Sequence, residues 1–236
     1  MSEIIPYDVR KFPWYSPKFV IQAFHKLAQK YSGQIEKHDR KFRVAHEMFE
    51  TAIALLGVYK LDESNKYFMQ TNQQSKSPDV VAVKLIEENK LVTSGVSQVE
   101  VVTMEEHSPE NNVVDFLLRT KFSNKKSYSQ TTLILCTVNK KIQINLDEVR
   151  DRIKEINPKS ALYILGKVPE TEGKWVIYSP HPITTKPVTF DVAEVAKEYW
   201  LPDSLVLQKG AKKSIVYEKT GEQVEITVEE FFKVDF

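Results

Sequence analysis

Apolar positions recur along this chain with two different periods, and the alternation between them predicts its elements. After an arm over residues 1–15 broken by Pro6 and Pro13, Ser16-Pro17 supplies a favoured cap and a favoured first helical residue. Val20, Phe24, Leu27 and Tyr31 follow at spacings of three and four, one face of a helix that Ser32-Gly33 ends. A second stripe, Phe42, Ala45, Phe49, Ile53 and Leu56, predicts a helix from Ile35 to Leu56 stopped by Gly57 and paired antiparallel with the first. Tyr67-Phe68-Met69 reads as a short strand, Val80–Leu85 as a buried strand, Glu87-Glu88-Asn89 as a turn, and Leu91–Met104 as a long strand bent at Gly95.

Ser108-Pro109-Glu110 repeats the cap-then-proline signal before Val113, Val114, Leu117 and Leu118, so a helix is expected to open there. Thr132–Val138 is the most apolar strand. Asn145 and Glu148 form a capping box for a helix carrying Leu146, Val149, Ile153 and Ile156, which Asn157-Pro158 stops. Ala161–Val168 and Trp175–Tyr178 are further strands. Three prolines between Pro180 and Pro187 mark a boundary; beyond it Asp191 and Glu194 box a short helix reaching Trp200, and Ser214–Lys219 and Gln223–Thr227 flank a Thr220-Gly221-Glu222 turn.

Helices alternating with buried strands predict an α/β fold, a central mixed sheet covered by helices on both faces. The expected organisation is a core over residues 1–180 with an N-terminal helical pair, and a small C-terminal α+β appendage over residues 181–236 packed on it.

Composition narrows the function. The 236 residues carry 33 basic and 32 acidic side chains, a formal net charge of +1, so nothing predicts a protein held to nucleic acid by bulk charge. Lys125-Lys126 and Lys140-Lys141 are local basic pairs that would track a phosphate backbone if they shared a face; scattered solubilising lysines are the simpler account of them. The single cysteine, Cys136, sits in an apolar strand and reads as a small buried hydrophobe. A chain without disulfides suits a reducing compartment. The opening residues lack a basic stretch followed by an apolar core, and no window is long enough to span a bilayer, so a cytoplasmic protein without membrane partner is expected. There is no GxGxxG, GxxxxGK[ST] or GxSxG pattern and no zinc spacing. His46 and Glu50, four apart on a helix, would share a metal if they faced the core; a solvent-facing pair reads the same.

The remaining chemistry lies in Ser77-Pro78-Asp79-Val80-Val81 and Val96-Ser97-Gln98-Val99-Glu100-Val101-Val102. An aspartate enters one strand and a glutamate sits inside the next, flanked by valines. A half-buried strand with a polar face would show the same alternation, but a carboxylate there costs energy unless it is paired or binds metal. Together with Glu50 on the preceding helix, this order resembles the PD-(D/E)xK, or restriction endonuclease-like, nuclease superfamily, whose core runs helix, three strands, helix, strand. The resemblance covers about residues 40–165. It implies that Asp79 and Glu100 would bind Mg²⁺ or Mn²⁺, that Glu50 would assist, and that the setting involves DNA. It also implies a lysine two residues beyond the glutamate, on the same strand face. Val102 occupies that position. Either the lysine has moved to another element, with Lys84, Lys121 or Lys125 as candidates, or the scaffold has lost its activity. The expected function is therefore a nucleic-acid-associated, nuclease-like protein, a metal-dependent phosphodiesterase if active. The alternative is a non-catalytic interaction or assembly module on the same scaffold, a homodimer or a binder of another protein, using its C-terminal hairpin and Phe231, Phe232 and Phe236 as contact surface.

Overall fold

The computed structural model describes residues 14–35, 39, 41–71, 79–88, 91–123, 128–199, 201, 203–209 and 215–218. In chain order the strands and helices are β1 (Trp14–Tyr15), α1 (Pro17–Lys30), α2 (Arg43–Leu61), β2 (Lys66–Thr71), β3 (Val80–Glu88), β4 (Leu91–Met104), α3 (Val113–Thr120) and β5 (Thr132–Val138). They continue with α4 (Leu146–Ile156), β6 (Ala161–Lys167), β7 (Lys174–His181), β8 (Val188–Asp191), α5 (Val192–Glu198), β9 (Ser204–Lys209) and β10 (Ile215–Glu218). The architecture is the expected α/β class.

Caps set the helix ends. Ser16 Oγ accepts from the Phe19 amide at 3.2 Å, Asn145 Oδ1 from Glu148 at 3.3 Å, and Asp191 Oδ1 from Ala193 and Glu194 at 2.9 and 3.1 Å. Each satisfies first-turn amides that have no partner within the helix. Asn157 closes α4 with φ 46°, a left-handed cap that asparagine tolerates.

Two helices depart from their expected bounds. α3 starts at Val113 because Asn112, not Ser108, caps it, its Oδ1 accepting from the Val114 amide at 2.8 Å. Ser108 instead turns its hydroxyl to the Glu105 amide. α2 begins at Arg43 and runs through Gly57 to Leu61. Gly57 is there for closeness: a Cβ would stand 2.9 Å from the Phe190 ring and 3.0 Å from Ile177 Cδ1. Gly95 causes no register break, since β3 and β4 pair continuously from Val80↔Val99 to Glu88↔Leu91.

The strands form one mixed sheet in the order β10-β9-β1-β2-β3-β4-β5-β6-β7-β8. β4, β5 and β6 are parallel neighbours, joined by crossovers that contain α3 and α4; the other pairings are antiparallel. β5 is apolar on both faces because both are covered. Leu133 and Leu135 belong to the core under α1 and α2, whereas Ile134 and Cys136 belong to the core under α3 and α4. On the first face Phe24 stacks on Phe49, centroids 4.1 Å apart.

The residues beyond the proline-rich segment continue the sheet at both edges. β8 lies on β7, and β9 pairs with β1, Trp14↔Leu205. β10 pairs with β9. The expected partner strand at Gln223–Thr227, Trp200 and the aromatic residues of the last segment lie outside the described residues. Tyr199 ties this region inward: its hydroxyl accepts from the Tyr67 amide at 2.6 Å and donates to the Tyr67 carbonyl at 2.8 Å. Among the described residues no helix is long and apolar enough to cross a membrane.

Candidate functional site

β4 changes partner in its middle. Leu91–Val99 pair with β3 and Gln98–Met104 with β5, so Glu100 is the first β4 residue past the end of β3. An amide left without its strand neighbour needs another acceptor. The Val101 amide finds one in Asp79, one residue before β3, whose Oδ2 accepts at 2.8 Å. The aspartate that enters one strand thus caps the gap beside the glutamate of the next.

Glu100 points to the face covered by α3 and α4. Its Oε2 lies 2.9 Å from Nζ of Lys121, the C-cap residue of α3, and the two residues are 6% and 7% exposed. A cation at a helix C-terminus also meets the negative end of the helix dipole. Asp79 belongs to the same electrostatic group. Its pKa is raised, first by burial and also by the Glu100 charge, against the lowering effects of the Val101 amide, Lys121 and Arg43. Tyr128, between α3 and β5, completes the group: burial and the charges of Glu100 and Asp79 push its phenol up to about 12.

Of the sequence candidates, Asp79 and Glu100 come together and Lys121 joins them. Glu50 does not. It is 5% exposed, and its Oε2 accepts from Thr103 and Thr137 hydroxyls, each at 3.1 Å. Thr103 is three residues from Glu100, so the two side chains leave opposite faces of β4; Glu50 fastens α2 to the far side of the sheet. Nor does it share a metal with His46, whose Nε2 donates to the Ile35 carbonyl at 2.9 Å. Lys84 bonds Asn65 Oδ1 at 2.5 Å, five residues and about 16 Å along β3 from Asp79.

Lys140 donates to the Ser108 and Glu110 carbonyls at 2.7 and 2.9 Å, and so braces the loop before α3. It and the exposed Lys141 lie past the far end of β5, about 20 Å from Ile134, the residue paired with Glu100. Lys125 and Lys126 lie outside the described residues. Sequence reasoning missed Arg43 and gave Tyr128 no place beside the carboxylates. Neither carries a motif, although Tyr128 stands beside the Lys125-Lys126 pair.

The chemistry of the group is limited by protonation. Burial holds the Cys136 thiol up at about 12, with Glu50 adding to the effect and Lys121 opposing it, so it is no thiolate at neutral pH. Among the described residues no group of three or more His, Cys, Asp or Glu side chains is arranged to hold a metal ion. Asp79 and Glu100 are nevertheless two carboxylates coupled to each other, the pKa of Asp79 being raised first by burial and then by the Glu100 charge. Mg²⁺ in general keeps several waters and takes one or two carboxylates from a protein. Comparisons with family models, with curated proteins and with solved structures returned no match.

Proposed function

We propose that the chain is a nucleic-acid-associated protein of the PD-(D/E)xK nuclease kind, a metal-dependent phosphodiesterase in which Lys121 takes the place of the lysine missing at Val102. The observation that carries this reading is the buried contact between Lys121 Nζ and Glu100 Oε2 at 2.9 Å. The order α2-β2-β3-β4-α3-β5, with Asp79 at the mouth of the middle strand and Glu100 within the third, supports it.

In this reading Asp79 and Glu100 would hold Mg²⁺ or Mn²⁺. The cation, when bound, would acidify a water and offset phosphate charge. Glu100 holds the Lys121 ammonium where it would orient that water and stabilise negative charge developing on the phosphate. Asp79 must ionise fully to bind a cation, so affinity would rise with pH. Arg43, at the first position of α2 and close enough to act on Asp79, would add positive potential toward a phosphate chain.

A second reading has its own support. Lys121 already neutralises Glu100, as in a scaffold kept for assembly rather than catalysis, and the net charge of +1 offers no general attraction to nucleic acid. A Mg²⁺ and Mn²⁺ titration with supercoiled plasmid, with Glu100→Ala and Lys121→Ala as controls, separates the two. Cleavage by the wild type alone is the expected result. Equal cleavage by wild type and Glu100→Ala removes Glu100 from the mechanism, and no nicking at any metal concentration favours the assembly module.

A further inference from the structure

α1 differs from the other helices in its charges. Its inner side, with Val20, Ile21, Phe24 and Leu27, is buried in the core. Its outer side, at the complementary spacings of three and four, presents Lys18, Gln22, His25, Lys26, Gln29 and Lys30, of which all but Lys18 are exposed. No residue of Pro17–Lys30 is acidic, whereas each of α2, α3, α4 and α5 carries at least one Asp or Glu. On α4 the charges cancel one another: Arg150 meets Asp147 at 2.7 Å, and Arg152 meets Asp115 of α3 at 2.6 Å. Among the described residues, the acidic groups near α1 stand at its two ends. Asp203 lies 3.5 Å from Lys18 at the first turn. Beyond the last turn, Glu47 lies 3.3 Å from Arg43, and Asp39 accepts from the Lys41 amide at 3.1 Å. Lys41 adds a cation at this end, its ammonium 5.0 and 4.7 Å from the Tyr31 and Phe42 ring centroids.

We propose that the outer face of α1 is a docking surface for the phosphate backbone of a nucleic-acid duplex. The inference rests on the nucleic-acid reading above and adds to it the surface that would hold the polymer. Lys18 and Lys30 stand about 18 Å apart along the helix axis, a length over which one strand of a duplex carries about five phosphates. The 33 basic and 32 acidic side chains of the chain nearly cancel in sum, but a polyanion responds to the local field, and here one sign is collected on one face. Two features choose this partner over others. The apolar residues of α1 are spent in the core, so the helix has no apolar side to sink into a lipid surface. The neighbouring rings stack on one another, Phe24 on Phe49 at 4.1 Å and Tyr15 on Phe19 at 4.9 Å, so the face offers charge rather than a platform for unstacked bases. The end of α1 also meets the start of α2, with Tyr31 edge-on to Phe42 at 5.0 Å, so the stripe of lysines leads toward Arg43.

The test uses the full chain with fluorescein-labelled DNA and RNA duplexes, and anisotropy is measured over a range of salt concentrations. Lys26→Gln with Lys30→Gln removes two exposed charges from the outer face, and Lys154→Gln with Lys159→Gln removes two exposed charges elsewhere. The expected result is duplex binding weakened about tenfold or more by the α1 pair alone, with the slope of log affinity against log salt shallower by about two. Lys26→Arg with Lys30→Arg, which keeps the charge, should bind as the wild type does, and its failure to do so overturns the inference. Equal weakening by the α1 pair and the Lys154 and Lys159 pair means that charge counts and its place does not, which also overturns it. If the α1 pair binds as the wild type does, the docking surface is overturned and the nucleic-acid reading stands. If the wild type binds neither duplex, the docking surface is overturned, and the plasmid assay above decides the phosphodiesterase reading by itself.

Discussion

Nζ of Lys121 and Oε2 of Glu100 meet at 2.9 Å across 21 residues of sequence, with 9% and 8% of their side-chain surfaces exposed. Two charges taken out of water in this way gain little net stability as a pair, but each depends on the other. Lys121→Met should therefore cost about 3–5 kcal/mol, because it leaves Glu100 buried beside Asp79 without its cation. Lys121→Met combined with Glu100→Gln should recover most of that loss. Urea midpoints for the two single variants and the double variant measure the coupling, and simple additivity would show that the pair is not energetically linked.

Asp79 gives a pH signature of its own. Burial is the largest cause of its raised pKa, so the folded protein binds its proton more tightly than the unfolded chain does. Stability from this group is then fully present below the unfolded value of about 3.9 and is lost as pH rises through the folded value. Asp79→Asn, whose side-chain carbonyl still accepts from the Val101 amide, should be more stable than wild type at neutral pH, and its advantage should fade as the pH falls toward about 4. Denaturant unfolding across that range checks it, and a constant difference would rule out Asp79 as the source.

Gly57→Ala tests whether this glycine marks a packing constraint. Alanine in a helix interior should gain about 1 kcal/mol on propensity alone. The methyl group would stand 2.9 Å from a Phe190 ring that is 4% exposed, so a net loss of about 1–3 kcal/mol is expected. Phe190→Leu added to Gly57→Ala should return part of it. Thermal unfolding of the three variants decides the sign.

Tyr199→Phe removes both hydrogen bonds to the Tyr67 backbone and keeps the ring edge-on to Tyr59, centroids 4.9 Å apart. A loss of about 1–3 kcal/mol is expected from the stranded backbone groups. Hydrogen exchange should show faster opening of the Tyr67 amide while the centre of β5 stays protected.

Much of the fold was legible because its signals are local. Ser16-Pro17, Asn145 with Glu148, and Asp191 with Glu194 each declare a helix start within a few residues, and the caps observed are those residues. Thr132–Val138 announces a strand buried on both faces through its unbroken apolar run. Gly57 misled, because a glycine that ends a helix and one that admits a phenylalanine ring look alike until the ring is in place.

At the candidate site, the chain order of Asp79 and Glu100 was readable, since one precedes a strand and the other alternates with valines inside the next. Their company was not. Lys121, Lys84 and Lys125 are equivalent as letters. Lys121 reaches Glu100 because α3 packs back across the parallel β4–β5 pair and ends beside it. Glu50 is lost to the group because α2 covers the opposite face. By itself, then, the sequence determined the elements and the α/β class, through caps and hydrophobic period, which act over a few residues. Only the tertiary structure decided which lysine serves the glutamate and which carboxylate stands apart, because those contacts depend on sheet order and on which face each helix covers.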